Sequence, residues 1–344
     1  MLNVGLIGFG LAGRAFHAPL IAVTPGLRLA TVVTSRAEEV ASLHPDSQVV
    51  ASTEVLLADP AIDLVVVATP NDSHAPLARA ALETGKHVVV DKPFALSTEA
   101  ARDLTALAQA RGRMLTVFHN RRWDADFRTV EQLLTARTLG EVQLAELRWD
   151  RFRPAIKQGW RETPRPGAGL LADLGPHLID QAIRLFGLPE ALSADIASQR
   201  PEAAVDDYFE LTLYYGSRRV RVGAASLVAA ARPRFALHGT RGSFVKHGID
   251  PQEAVLRAGG SPADPGYGVE QETAWGTLVD AEAREQRVAS AAGTWPAFYE
   301  QVAAAITNGA APPVDPADAI AGLELIACAY QSAREGRRIA FRPR

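Results

Sequence analysis

The 344-residue chain has one cysteine, Cys328, and it sits in the apolar helical pattern "AIAGLELIACAY". A thiol in that setting reads as a small core residue, which argues against cysteine as a nucleophile or metal ligand. Lysine and arginine form no run, and with a net charge of -3 and a pI near 6.3 the chain carries no electrostatic footprint for nucleic acid. No apolar window approaches the ~20 residues of a membrane span. The N-terminus runs almost at once into "NVGLIGFG", without a basic n-region or a cleavage site. The expectation is a cytoplasmic protein with neither membrane nor nucleic acid as partner. The eight histidines are scattered and none has a second histidine four residues away, so no metal is implied. Internal repeats and low-complexity segments are missing as well.

What is present is enough apolar material for a large core, 47% of the residues, and a change of pattern part-way along the chain that implies two domains. In the first part "NVGLIG", "LRLATVVTS", "DLVVVAT", "KHVVV" and "RMLTVF" are short β-branched runs. Helical segments such as "HAPLARAALETG" and "STEAARDLTALAQARG" lie between most of them. This alternation predicts an α/β domain over residues 1–121, with a parallel sheet whose ligands bind outside the carboxyl ends of the strands. Residues 122–344 read differently. A helix near "WDADFRTVEQLLTAR" is followed by "EVQLAELRWDRFR", a Gly/Pro-rich passage, and a helix in "GLLADLGPHLIDQAIRLFG" that Gly187 stops. The stretches "DYFELTLYY", "RRVRVGAASLV" and "RFALHG" alternate with period two. They predict antiparallel strands with one face on helices and the other free for a partner. The segment from Lys246 to about Gly268 reads as a long loop, and two helices around "PAFYEQVAAAITNG" and "PADAIAGLELIACAYQSAREG" close the chain.

The first chemical motif is Gly8-Phe9-Gly10-Leu11-Ala12-Gly13. A GxGxxG can serve an ordinary tight turn, but this one follows the first strand and opens the first helix, the context a dinucleotide site needs. Gly8 permits the turn, Gly10 lets backbone approach a pyrophosphate, and Gly13 lets helix and strand pack closely. Thr34-Ser35-Arg36 stands where an NAD enzyme commonly has an acidic residue for the ribose. A hydroxyl and a guanidinium suit a 2′-phosphate, which favours NADP over NAD. The bland alternative is a solvated Arg36 with Glu38 or Glu39 on the ribose. Thr69, Pro70 and Asn71, before a helix start near His74, would flank the nicotinamide half, although a turn and a helix start also explain them. Lys92 in "DKPFALS" projects from a strand end in this crevice, where its cation could favour an alkoxide-like oxygen; a salt bridge to Asp91 is the structural alternative. Asp173, His177 and Asp180 are spaced for one helical face, and Gly175-Pro176 places the helix start near His177. An imidazole with a nearby carboxylate is a sensible general acid/base.

Taken together, the glycine fingerprint, "ATPNDSH", "GKHVVVDKP" and "GLLADLGPHLIDQ" resemble the glucose-fructose oxidoreductase/inositol dehydrogenase (Gfo/Idh/MocA-like) family over nearly the whole chain. The family's Glu-Lys-Pro appears as Asp91-Lys92-Pro93, a change that leaves the lysine in place. The resemblance implies a Rossmann dinucleotide-binding domain followed by an α/β domain with an open, largely antiparallel sheet that makes a homodimer or homotetramer interface. It also implies a cis bond before Pro93 and catalytic roles for Lys92, Asp173 and His177. "SR" at 35 and 36, "NRRWD", "DRFRP" and "HGTRGSFVKHGIDPQE" look like the branch with NADP-dependent scyllo-inositol dehydrogenases. The expected activity is hydride transfer between NADP(H) and a secondary alcohol or ketone of a cyclic polyol or sugar. His177 would move the hydroxyl proton, Lys92 would hold the oxygen, and Asp173 would orient His177 and contact a second hydroxyl. Asn120, on the cofactor side, and Arg122, Asp124, Arg153 and Trp160, on the substrate side, are candidates for the pocket wall. Two other readings compete. An NAD-retaining glycosidase of the same fold is disfavoured by Ser35-Arg36, and a noncatalytic dinucleotide sensor would not need Lys92, Asp173 and His177 together.

Overall fold

The computed structural model describes residues 1–157 and 159–342. Six strands form the first sheet: β1 (Leu2–Ile7), β2 (Leu27–Val33), β3 (Gln48–Val50), β4 (Leu64–Val67), β5 (His87–Val90) and β6 (Leu115–Val117). Their order is β3-β2-β1-β4-β5-β6 and every pairing is parallel. β4 is Leu-Val-Val-Val and wholly buried, the near-continuous apolar run expected of a strand covered on both faces. Between the strands run α1 (Ala18–Val23), α2 (Ala37–Leu43), α3 (Thr53–Ala58), α4 (His74–Glu83) and α5 (Thr98–Ala110). The strand order reverses at β1 and β4, so the crevice for a ligand opens beyond the carboxyl ends of β1, β2, β4 and β5.

After α6 (Ala125–Thr135), the second sheet has nine strands. They are β7 (Val142–Arg148), β8 (Ala191–Ala197), β9 (Tyr208–Tyr215), β10 (Arg218–Ala225), β11 (Phe235–Gly239), β12 (Gly242–Lys246), β13 (Gly276–Asp280), β14 (Glu285–Val288) and β15 (Ile339–Ala340). The order is β14-β13-β12-β11-β7-β10-β9-β8-β15, and only β7 with β10 is parallel. One face is apolar: Phe209, Leu211 and Leu213 alternate into a core shared with Leu171, Leu174, Leu178 and Ile179 of α7 (Leu170–Phe186). The other face carries Glu146, Arg148, Glu210 and Arg221, joined by ion pairs. The remaining helices are α8 (Gln252–Arg257), α9 (Pro296–Asn308) and α10 (Pro316–Glu335).

The chain divides into two compact units that are not continuous in sequence. The first is Met1–Trp123 with Pro251–Tyr267 and Thr294–Ile320; the second is Asp124–Asp250 with Gly268–Gly293 and Ala321–Arg344. A single cut after residue 121 therefore describes the order of the folds but not their membership. The cause is packing: Leu256, Trp295, Phe298, Tyr299, Val302 and Val314 fill the first core beside Leu20, Val66 and Phe118. The stretch from 246 to 268, read as a loop, contains α8, whose buried Leu256 is too isolated to register as a helical period.

Candidate active site

The fingerprint glycines have distinct geometric reasons. Gly8 has φ of 99°, and a Cβ there would stand 2.5 Å from the carbonyl oxygen of Ala68. A Cβ on Gly13 would stand 2.0 Å from the carbonyl oxygen of Gly8, so turn and helix start close on one another without side chains. At Gly10 nothing lies within 4 Å of where a Cβ would be. That open cradle fits a pyrophosphate against bare backbone. Leu11 is exposed and Ala12 partly so, whereas the Phe9 side chain is buried, edge-on to His44. A π turn, Gly13–His17, then leads into α1.

At the end of β2 the Arg36 backbone N–H donates to Thr34 Oγ1 at 3.1 Å, and Ser35 and Arg36 are exposed. The Arg36 guanidinium lies 3.5 Å from Glu39, whose other oxygen accepts from Arg14 at 3.0 Å. Arg14 and its shared carboxylate were not among the expected residues, because a contact between positions 25 apart leaves no local pattern.

Beyond β4, Ser73 donates to Thr69 Oγ1 at 2.7 Å, Pro70 is exposed, and Asn71 begins a 3-10 turn, Asn71–Ser73. His74 is buried, with one ring nitrogen 2.9 Å from the Thr69 carbonyl oxygen and the other 2.8 Å from that of Pro93. It ties the loop after β4 to the loop after β5. In the latter loop the Lys92–Pro93 bond is cis, and the Lys92 backbone N–H donates to Asp91 Oδ1 at 2.8 Å. Burial pushes the Asp91 carboxyl up, but the facing His17 imidazole, with the charges of His74 and Lys92, outweighs it and holds the group below the ordinary aspartate range. Asn120 is buried at the start of a 3-10 turn, Asn120–Trp123, and Arg122 donates to Asp318 at 2.8 Å. The first unit thus gathers Gly8 to Gly13, Ser35, Arg36, Thr69 to Asn71 and Lys92 at the carboxyl ends of β1, β2, β4 and β5.

In the second unit α7 starts at Leu170, not near His177, so Asp173 lies in its first turn. Asp206 makes this start: its carboxylate accepts from the N–H of Leu171 at 2.7 Å, and its carbonyl oxygen accepts from that of Leu170 at 2.8 Å. Asp173 and His177 are one turn apart on this helix. Asp173 lies 3.3 Å from Arg161 and 3.7 Å from Arg151, two arginines the sequence did not single out. His177 is buried, its ring centroid 6.1 Å from that of Trp149. Trp149 is stacked in turn by the buried Arg234 guanidinium at 5.3 Å, which Gln181 and Asp126 hold. Asp124 is fully buried at the start of α6. Arg153 is exposed, its backbone N–H bonded to Ser226. Trp160 opens a 3-10 turn, Trp160–Glu162, and its side chain lies outside the described residues. Among the described residues no three His, Cys, Asp or Glu side chains are grouped to hold a metal, and no described helix is long and apolar enough to cross a membrane.

A family model for the NAD-binding Rossmann fold of an oxidoreductase family matches residues 2–119, and the model of that family's C-terminal alpha/beta domain matches 131–341. The chain belongs to the Gfo/Idh/MocA family. This Gfo/Idh/MocA chain is 47% identical to the Escherichia coli oxidoreductase YdgJ, across 97% of its own length and 96% of that protein's. It is 38% identical to scyllo-inositol 2-dehydrogenase (NADP(+)) IolW of Bacillus subtilis, across 98% and 95%. The solved structure of yvaA from Bacillus subtilis superposes with a TM-score of 0.97 at 38% identity, covering 99% of this chain and 98% of that one. As a Gfo/Idh/MocA member the protein is an NAD(P)-dependent oxidoreductase, with a Rossmann domain for a nicotinamide cofactor and a C-terminal α/β domain whose sheet is mostly antiparallel.

Proposed function

We propose that the protein transfers hydride between NADP(H) and a secondary alcohol or ketone of a cyclic polyol or sugar. The observation that carries this reading is α7, where a buried imidazole stands one turn from a carboxylate bearing two guanidiniums, in a chain whose other unit ends a parallel strand in Lys92 beside a dinucleotide cradle. Bound nicotinamide supplies the hydride acceptor or donor. In the oxidation direction His177 takes the hydroxyl proton on an imidazole nitrogen, the side chain most often used as a general base. Lys92 gives a charge-assisted hydrogen bond that favours alkoxide-like character. Asp173, with Arg151 and Arg161, holds neighbouring hydroxyls.

Support for NADP comes from the end of β2. Arg14 and Arg36 share one carboxylate, Glu39, so two guanidiniums stand together where a 2′-phosphate would sit. Support for a cyclic polyol comes from the relative IolW, a scyllo-inositol 2-dehydrogenase. The polar face of the nine-stranded sheet, with Glu146, Arg148, Glu210 and Arg221, supports self-association as a homodimer or homotetramer, which light scattering would count.

The deciding assay follows the absorbance of reduced nicotinamide with inositols, neutral sugars and uronic acids, each with NADP+ and NAD+. Turnover of a cyclic polyol or sugar with kcat/KM higher for NADP+ is the expected result. Equal kcat/KM for the two cofactors overturns the NADP reading, and a monohydric alcohol as good as the best polyol overturns the substrate class.

A further inference from the structure

His17 ends the π turn after the glycine fingerprint, and it is fully buried. Its Nδ1 lies 2.6 Å from the hydroxyl of Tyr299, a fully buried residue of α9. Its Nε2 makes no hydrogen bond and stands 3.9 Å from Oδ2 of Asp91. The Phe118 ring, with its centroid 4.3 Å away, covers the imidazole and restricts its rotation. The π turn contributes too, since one extra residue rotates the downstream side chains by about 100° relative to an α-turn.

A carboxylate only accepts hydrogen bonds, so the nitrogen facing it carries the hydrogen and the other nitrogen accepts. Burial, with the Asp91 charge nearby, raises Tyr299 well above an ordinary phenol, so its hydroxyl keeps the proton that Nδ1 accepts. One tautomer satisfies both neighbours. The 3.9 Å gap to Asp91 is longer than a hydrogen bond, so the contact is one of charge with dipole at ion-pair distance.

We propose that His17, oriented by Tyr299, is a positioning residue for Lys92: it faces the Asp91 carboxylate and steadies it electrostatically, while that carboxylate holds the Lys92 backbone N–H and so fixes the peptide from which the lysine projects. The inference rests on the reading of Lys92 as catalytic. A core-filling role alone gives no reason to bury an imidazole nitrogen opposite a carboxylate, because an apolar ring would pack as well without an unmet donor. His17 also belongs to the turn that begins at Gly13, so the cofactor cradle and the lysine loop share one buried link.

Tyr299→Phe removes one oxygen and leaves the ring in the core. It should lower kcat about tenfold, while the Kd for NADPH, read by fluorescence, stays near wild type and the Tm falls by only a few degrees. His17→Gln, whose amide can still donate to Asp91, should recover more kcat than His17→Leu. The labelling rate of Lys92 by an amine-acylating reagent, read by mass spectrometry against the other lysines, should change in Tyr299→Phe and in His17→Leu. This measurement needs no turnover. Wild-type kcat and unchanged Lys92 labelling in both variants, or a kcat that falls only in proportion to cofactor binding and Tm, would overturn the proposal. A Lys92→Ala enzyme with wild-type kcat would instead overturn the catalytic reading of Lys92, and the labelling result separates the two failures.

Discussion

Two guanidiniums facing one carboxylate make the end of β2 a competition between the protein's own Glu39 and an incoming anion. Losing a charge-assisted contact costs ~1.5–3 kcal/mol. Arg36→Ala and Arg14→Ala should each raise KM for NADP+ by about ten- to a hundredfold, with little effect on NAD+. Glu39→Gln should lower KM for NADP+, since it frees both arginines, and initial-rate kinetics would show all three. The reacting groups are tested by Lys92→Ala and His177→Ala, each expected to reduce kcat by ~10²-fold or more, with NADPH binding by fluorescence retained in His177→Ala. Asp91 gives a pH prediction. Its carboxyl is pushed up by burial but held below its ordinary value by the facing His17 and the charges of His74 and Lys92. A depressed acid contributes stability that is present above its unfolded value, about 3.9, and is lost as pH falls through the folded value. Asp91→Asn should therefore flatten the acid limb of a Tm-against-pH curve, and an unchanged limb would remove Asp91 from that account. At this scale the candidate residues that the sequence singled out are those whose chemistry sits in a local run: the fingerprint glycines, Lys92, and the Asp173-to-His177 spacing. The sequence was silent on His17, Arg14, Arg151 and Arg161, whose significance comes from partners brought near by folding.

Among the elements, α7 shows why a helix start can be misread. Gly175 and Pro176 are poor interior residues, and they drew the expected start toward His177. The actual start is at Leu170, where Asp206 replaces the local cap that the sequence lacks. Gly169, before the helix, has φ of 96° and ψ of 165°, a region open essentially to glycine alone, and a Cβ there would stand 2.2 Å from Asp206 Oδ1. Gly169→Ala should cost ~1–3 kcal/mol in urea unfolding and lower kcat through Asp173. Asp206→Ala should cost about 1 kcal/mol, at the lower end for a cap because burial already raises the Asp206 carboxyl. Five of the six parallel strands, by contrast, were legible as β-branched runs, the three-residue β3 being too short to register, and β9 to β11 as alternation. β8 and β12 to β14 were not singled out, since short strands with mixed faces carry a weak period.

For the whole molecule, the discontinuous first unit matters most. A fragment ending at residue 121 lacks Trp295, Phe298, Tyr299, Val302 and Val314, all fully buried in the core of the first unit. It should bind a hydrophobic dye and give broad, non-cooperative melting, whereas a cooperative melt would show that the Rossmann sheet folds without them. Residues 1–121 carry no sign of this dependence in their own pattern, because the missing surface is supplied by residues 251–267 and from beyond residue 293. Synthesis runs in the other direction. The segment beginning at Thr294 emerges about 170 residues after Trp123, a delay on the order of ten to thirty seconds at translation rates of ~5–20 residues per second. During that interval the nascent sheet carries an uncovered apolar flank, so the ribosome-bound intermediate is the stage at which chaperones and proteases have the most to recognise.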